Sequence, residues 1–559
     1  MKLRICAMAF VFLFTSAAYA QQVRAFNADN AQSDQIVDTA YAQTGRAVDT
    51  PYSRATQAGS ATYAQQVSDA SAVHLLNRLT FGPAPGDIDR VKAMGLQPFI
   101  DQQLNPDLLP ESPAVQNLMA NSSTGRMSNE QLILEFRSLQ RKIQEVKKKE
   151  GDNADQGDNE RLKQLTGVYK ELRQHDIATK LARCIESPKQ LQEVMTEFWF
   201  NHFNVFLNKG VDTILVESYE NQAIRPNALG KFRNLVEATC HHPAMLFYLD
   251  NWENTAPNSP GAHGKGLNEN YARELMELHT LGVDGGYTQR DVTELARVLT
   301  GLSLAPQHPQ QQHFGRMQMF RQMPMPAQME PVDNFGAYFF PQKHDFGVKT
   351  ILGYQIRGAG EMEIEECIDM LVHHPSTAHH ISYQLCQYFV SDNPPASLVN
   401  RVATRFLQSD GDIKSLLREI LYSQEFWDPR YENAKYKTPL RFAVSALRAG
   451  GVHIDDYAPV DQFLRSQGEA IYGCITPDGY KNTKEAWLNG DSLIRRINFA
   501  TALAAGRLGR REIQPPEYRA LGATISDGHF SSRTVAVVAK APDGLKSAVV
   551  LGSPEFMHY

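Results

Sequence analysis

The residue types best suited to chemistry lie in the segment Asn268–Asp284, which reads NENYARELMELHTLGVD. At 100° per residue its side chains divide into a polar arc and an apolar arc, as in an amphipathic helix. The polar arc comprises Glu269, Asn270, Arg273, Glu274, Glu277 and Thr280, and the apolar arc comprises Tyr271, Ala272, Leu275, Met276, Leu278 and His279. A carboxylate beside an arginine can act as a general acid or base, because the cation favours its ionised form. The candidate catalytic residues are Glu269, Arg273, Glu274, Glu277 and His279.

The same spacing is also typical of a helix with no catalytic role. Glu269, Arg273 and Glu277 stand at i, i+4 and i+8, and such pairs on a solvated face contribute roughly a few tenths of a kcal/mol each. A histidine in an apolar stripe is more often a core residue than a ligand. The spacing alone leaves both interpretations open.

His279 has no second histidine four residues away, so it could hold a divalent metal only with ligands from other segments. The candidate metal ligands are His202, His242, His344 and Asp345. An imidazole next to a carboxylate, as in the sequence KHDFG, suits proton transfer or metal binding. Alternatively, Asp345 bonds its own backbone in a turn, and His202 packs with Trp199 in an aromatic core.

Residues 305–335 form a loop rich in Met, Gln and Pro. Its thioethers are soft ligands of the kind that Cu(I) prefers, so the loop is a candidate copper site. The candidate ligands are Met317, Met319, Met323, Met325 and Met329. The alternative is a low-complexity insertion whose methionines are incidental.

The sequence contains no HExxH, GxSxG, P-loop, GxGxxG or CxxC signature. Zincin-type proteases, α/β-hydrolases, P-loop NTPases and Rossmann enzymes are therefore disfavoured. The formal net charge is −6 and becomes 54 − 62 = −8 without Lys2 and Arg4, and no basic stripe is present. A mild acidic excess of this kind argues against a nucleic-acid partner.

The first 20 residues predict a Sec-type signal peptide, because a basic start, an apolar run from Ile5 to Ala17 and the cleavage site Ala18–Ala20 follow one another. We expect export to the periplasm or beyond. Residues 21–70 predict a flexible leader, and residues 71–559 predict a helical domain. No later run of about 18 apolar residues predicts an integral membrane segment.

Helical periodicity dominates the remaining sequence. Between 129 and 175 the apolar residues first step by 4, 3, 4 and 3, from Leu132 to Val146, and then repeat after a polar break, which predicts a long αα-hairpin. Tyr338–Phe340 and Lys349–Ile356 could form one small β-hairpin. The predicted fold class is mainly α, a multi-helix bundle with that αα-hairpin and at most a small β-hairpin.

From about Ala72 onward the sequence resembles the bacterial family known as domain of unknown function 1800. The resemblance rests on nine segments: AVHLLNRLTFGP, EFWFNHFNV, IRPNALGKFRNL, HHPAMLFYLDN, NENYARELMELHTLGVDGGYTQRDVTELARVLTG, KHDFGVKTILG, HHPSTAHHI, KTPLRFAVSALRA and PDGY. It implies an exported, mostly helical bacterial protein of unassigned activity. It also implies a partner from a sulfatase-like family, domain of unknown function 1501, which is often encoded beside it.

Two functional hypotheses follow from different classes of protein. The first is a binding or assembly protein of the cell envelope that acts with a partner. The second is a metal-assisted or acid–base hydrolase in which the Glu269–His279 helix lines a cleft with the candidate metal ligands. Convergence of these side chains in one pocket would favour the enzyme, and their placement on separate faces would exclude this version of it.

Overall fold

A computed structural model of the chain describes residues 67–559 apart from 123–124, 151–155, 263–264, 306–331, 333–334, 510–511 and 527–529. The predicted signal peptide, nearly all of the leader and the five candidate copper ligands Met317, Met319, Met323, Met325 and Met329 lie outside the described residues.

The described residues form 24 α-helices and four short strands, which confirms the mainly α class. The helices are α1 Asp69–Leu79, α2 Asp87–Met94, α3 Leu96–Leu104, α4 Pro113–Asn121, α5 Asn129–Glu150, α6 Gln156–Glu186, α7 Gln190–His202, α8 Asp212–Tyr219, α9 Phe232–Cys240, α10 Pro243–Tyr248, α11 Asn270–Glu274, α12 Gln289–Val298, α13 Met362–Val372, α14 Pro375–Phe389, α15 Ala396–Gln408, α16 Ile413–Leu421, α17 Pro439–Ala449, α18 Ala458–Gln467, α19 Lys484–Trp487, α20 Gly490–Ala504, α21 Tyr518–Ser526, α22 Ser532–Lys540, α23 Asp543–Leu551 and α24 Pro554–Met557. None of the described helices is long and apolar enough to cross a membrane.

The predicted αα-hairpin is present as α5 and α6. Its apolar seam packs as the spacing requires: Leu132, Ile143 and Val146 are buried, and the rings of Phe136 and Tyr169 lie 5.6 Å apart. Helix α6 runs on to Glu186, beyond the predicted limit at 175, and its last turns are buried in the main core.

The two predicted strand segments are present, but they do not form one hairpin together. β3 (Lys349–Ile351) and β4 (Tyr354–Ile356) form an antiparallel hairpin within the predicted segment Lys349–Ile356. β2 (Ala337–Phe339) does not join it and instead pairs with β1 (Leu302–Leu304), which leads into the 306–331 segment. Three-residue strands carry too little alternation to reveal their partners from sequence.

The candidate catalytic helix changes its winding midway. α11 ends at Glu274 and is followed by one π-helical turn, Leu275–His279, in which the Thr280 hydroxyl donates to the Leu275 carbonyl at 2.6 Å. This turn rotates the residues that follow it, so Thr280 is fully buried and does not lie on the polar arc where regular α-periodicity places it. Single π-turns occur frequently at functional sites.

A network of buried charges joins α6 and α7 to a second π-turn, Glu220–Ile224. The Lys180 ammonium lies 2.8 Å from Glu197 Oε2 and 2.8 Å from Glu220 Oε2. Arg225 pairs with Glu220 at 2.5 Å and also with Glu193. Lys180 and Glu220 are each 1% exposed, so each needs its counter-charges to remain ionised inside the protein.

Candidate active site

A cleft of about 380 Å³ opens where α7, α14 and α17 meet the π-turn Leu275–His279 and the loop after α18. Its volume is in the range of small-molecule sites. The ionisable side chains that line it include four carboxyl groups and two imidazoles: Glu197, Glu277, Glu469, Asp478, His202 and His380.

The structure brings two of the sequence-predicted residues, Glu277 and His202, to this cleft. Glu277 accepts a hydrogen bond from the Tyr287 hydroxyl at 3.2 Å. Glu274 lies beside it and is half-buried. Burial, followed by the negative charges of Glu277 and Asp478, raises the pKa of Glu274 to about 7.

Glu269 and Arg273 face α12, and neither lines the cleft. Arg273 lies 3.6 Å from Glu269 and donates to Gln289 at 2.7 Å. The second oxygen of Glu269 accepts from the Thr293 hydroxyl at 2.6 Å. No described ion pair joins Arg273 to Glu277, since the π-turn intervenes. These contacts hold two helices together, and a catalytic role for this pair has no support from the geometry.

His279 is buried behind the cleft, with its ring 6.0 Å from that of His202 and 5.1 Å from that of Phe203. Its backbone carbonyl accepts a hydrogen bond from His202 Nε2 at 3.1 Å. Neither ring nitrogen of His279 has a hydrogen-bond partner among the described residues. Burial, with the neighbouring His202 and His380, holds the pKa of His279 well below its usual range, so its imidazole is neutral.

The other candidate metal ligands lie elsewhere in the fold. His242 caps α10: its Nδ1 accepts from the Ala244 amide at 3.2 Å, and its Nε2 lies 3.1 Å from the Asn129 amide. Burial lowers the pKa of His242 to about 3. Both of its nitrogens are therefore engaged in structural contacts.

His344 and Asp345 also make structural contacts. His344 is buried between the Thr300 carbonyl at 2.8 Å and Glu363 at 3.1 Å. Asp345 pairs with Arg297 at 2.8 Å and accepts from the Gly347 amide at 2.8 Å, as the turn interpretation expects. The hydrogen bonds from Arg297 lower the pKa of Asp345.

One group of three potential metal ligands does converge in the described part of the chain, and the sequence did not single it out. Glu237, His241 and Glu365 present ligand atoms within 4.8 Å of one another. However, Arg233 already binds this group, at 2.5 Å from Glu237 and 2.7 Å from Glu365. A guanidinium neutralises these carboxylates, so the group is better explained as an ion-pair network.

Three carboxyl groups of the cleft, Glu197, Glu469 and Asp478, were missed from sequence. The ammonium of Lys180 lies 2.8 Å from Glu197, and the Glu197 and Glu220 charges outweigh burial to raise the pKa of Lys180. Glu469 has no such cation against it. Its Oε2 accepts from the Leu440 amide at 2.6 Å, and burial raises its pKa to about 8. The cleft thus holds one carboxyl group beside a buried ammonium and one whose pKa is raised by burial.

The Asn201 side chain of α7 binds the loop that carries Asp478 through two hydrogen bonds. Asn201 donates to the Tyr480 carbonyl at 2.7 Å and accepts from the Tyr480 amide at 2.6 Å. Gly479 directly precedes Tyr480 and has a φ of +66°. A Cβ at this position would lie 2.2 Å from the backbone carbonyl oxygen of Asn201. Only glycine allows this approach, which sets the loop against the cleft wall.

His380 is positioned by a second glycine. Gly282 has φ +85, and a Cβ there would lie 2.9 Å from His380 Nδ1. His380 Nε2 donates to the Leu278 carbonyl at 3.3 Å. The π-turn and the segment that follows it therefore fix the position of the His380 imidazole in the cleft.

Comparison with known families settles the relationship of the chain. The family model described as "Protein of unknown function (DUF1800)" matches residues 74–558. The chain belongs to the DUF1800 family. No curated protein and no solved structure matches it.

The segments that carry the family resemblance meet at the cleft although they are scattered in the sequence. EFWFNHFNV contributes Glu197 and His202, and PDGY contributes Asp478. HHPSTAHHI contributes His380, and the NENYARELMELHTLGVDGG segment contributes Glu277. The signal that could have found Glu197 and Asp478 was therefore their place in these segments, whereas Glu469 lies outside all of them.

His279 and His242 allow a matched test of what each buried imidazole does. We expect His279→Leu to raise the free energy of unfolding by about 1 kcal/mol, because it removes two unpartnered polar atoms from the core. We expect His242→Leu to lower it by about 1 kcal/mol, because the Ala244 amide loses its cap. Urea denaturation of both variants measures these changes, and a loss of stability in His279→Leu would contradict the assignment.

The raised pKa of Glu469 predicts how stability depends on pH. Between its ordinary value of 4.5 and about 8, the folded protein keeps a proton that the unfolded chain has released. The free energy of unfolding should therefore fall with rising pH, by about 1.4 kcal/mol per unit from this group. In urea titrations at pH 5 to 8, the free energy of unfolding of Glu469→Gln should fall less steeply with pH, by that amount per unit. The exposed control Glu253→Gln should keep the wild-type slope. If the free energy of unfolding of Glu469→Gln has the same pH dependence as that of the wild type, Glu469 is not protonated in this range.

Proposed function

We propose that the protein is an acid–base hydrolase whose substrate binds in the cleft. The observation that carries this proposal is that one cleft holds Glu469, whose pKa is raised by burial to about 8, and Glu197, which lies 2.8 Å from the Lys180 ammonium. Carboxyl groups whose surroundings drive them to opposite protonation states can divide the roles of acid and base between them. Glu469 is assigned as the proton donor and Glu197 as the base.

The remaining lining supports a carboxyl-based mechanism. No serine or cysteine is among the described residues that line the cleft, where the aliphatic hydroxyls are those of Thr438 and Thr483. Glu277 and His380 face the same space and are assigned to substrate binding. The predicted signal peptide in residues 1–20 supports a substrate found outside the cytoplasm.

Hydrolysis assays test the proposal with chromogenic esters, amides, phosphate monoesters and glycosides. We expect at least one class to be cleaved, with a rate that declines above about pH 8 as Glu469 loses its proton. Glu469→Gln and Glu197→Gln should each lower kcat by about 100-fold or more. The control Glu253→Gln, at an exposed pair with Lys265, should retain the wild-type rate. Equal rates in wild type and both cleft variants would refute the assignment.

A second function, binding to an envelope partner, is favoured by one surface feature. Helix α20 exposes Ile494 by 60%, Ile497 by 44% and Leu493 by 37%, all within one turn. Apolar side chains grouped in this way are typical of protein interfaces. The family resemblance makes a sulfatase-like protein the partner to test.

Co-purification with that sulfatase-like protein measures this second function. We expect the double variant Ile494→Glu and Ile497→Glu to weaken the association by about tenfold or more, since charges at an interface centre are unfavourable. The matched control is Tyr354→Glu, an equally exposed residue on β4. An unchanged yield of the complex would exclude this face.

A further inference from the structure

The proposed hydrolase function leaves its substrate open, and the chemistry of the cleft narrows it. We infer that the substrate is a neutral, hydroxyl-rich saccharide and that the bond cleaved is a glycosidic acetal. This inference rests on the acid–base function proposed above and adds the class of ligand and of bond.

The catalytic groups suit the cleavage of an acetal. Glycosidic cleavage uses two carboxyl groups, one that donates a proton to the leaving oxygen and one that acts as the base. A pair of carboxyl groups can also cleave an amide, so the preference for a saccharide rests on the lining of the cleft. Glu469 gives its proton to the leaving oxygen, which keeps the electron pair of the broken carbon–oxygen bond. Water adds to the anomeric carbon and loses its proton to Glu197. The products are two hydroxyl compounds, and proton exchange with solvent restores both side chains.

The cations of the cleft are already committed, which disfavours an anionic substrate. Arg441 donates to the Asn77 and Thr80 carbonyls, each at 2.8 Å, and lies over the ring of Tyr559 at 4.3 Å. Lys481 pairs with Asp478 at 2.7 Å. Glu277 and Glu197 add negative charge to the same space. A phosphate, sulfate or carboxylate group would therefore meet repulsion without a free cation.

Hydrogen-bond capacity remains for hydroxyl groups. Asn482 lines the cleft, and its Oδ1 is buried with no partner among the described residues. A buried acceptor left unpaired is costly, so a donor from a ligand would be favourable there. The half-buried rings of Tyr388 and Tyr480 line the same cleft and offer apolar faces beside polar hydroxyls. An amphipathic ring that carries hydroxyl groups matches this combination.

The experiment separates binding from cleavage. Wild type and Glu469→Gln are titrated by calorimetry with neutral oligosaccharides of glucose, mannose, galactose and N-acetylglucosamine. Hydrolysis is measured with the 4-methylumbelliferyl glycosides of the same sugars beside chromogenic ester, amide and phosphate substrates. We expect at least one saccharide to bind both proteins within a few-fold and to be cleaved at least about 100-fold more slowly by Glu469→Gln.

Two further variants sharpen the result. Asn482→Leu should weaken saccharide binding by about tenfold, because the acceptor is lost. Lys265 forms an exposed ion pair with Glu253 outside the cleft, so the control Lys265→Ala should bind and cleave the saccharide as the wild type does. Cleavage of esters, amides or phosphates without any glycoside would overturn the saccharide inference and leave the acid–base function standing. Saccharide binding without hydrolysis of any substrate would overturn the hydrolase function, and with it the glycosidic step. No binding and no cleavage of any saccharide would also overturn the inference.

Discussion

The ion pair between the buried Lys180 ammonium and the carboxylates of Glu197 and Glu220 is the contact on which the cleft depends. An ammonium that is 1% exposed is tolerated only with counter-charges at hydrogen-bond distance, and both carboxylates lie 2.8 Å away. Lys180 belongs to the hairpin helix α6, Glu197 to α7 and Glu220 to a π-turn. The need to pair one buried charge therefore ties three elements together and fixes the position of a carboxyl group in the cleft.

Glu197 and Glu469 differ in their neighbours and not in their residue type. Glu197 has an ammonium 2.8 Å away, whereas Glu469 is buried and accepts hydrogen bonds from the Leu440 amide and the Thr438 side chain. An amide dipole offsets less of the desolvation cost than a full charge does, so Glu469 keeps its proton near neutral pH. The bundle thus places two glutamates of one cleft in different electrostatic surroundings.

Periodicity was enough to predict the helical class and the αα-hairpin, because Leu132, Ile143 and Val146 repeat at the spacing of a packed seam. It failed where the backbone left the regular period. The π-turn at Leu275–His279 buries Thr280 and separates Arg273 from Glu277, and no helical wheel anticipates that insertion. The strand that pairs with Ala337–Phe339 could not be predicted either, because Leu302–Leu304 lies on the far side of residues 306–331 and the pairing depends on tertiary structure.

The candidate site shows the same limit more clearly. Glu277 and His202 could be selected from sequence by residue type. The other residues that line the cleft with them come from positions far apart in the sequence. Asn201 and Tyr480 are joined by two hydrogen bonds across 279 positions, and Gly479 makes that contact sterically possible. No sequence neighbour of Glu469 marks it as unusual. The burial that raises its pKa comes from α17 and α7, which reach it only in the folded chain. Its chemistry is a property of the folded chain, so the folded chain had to be seen before a proton donor could be assigned.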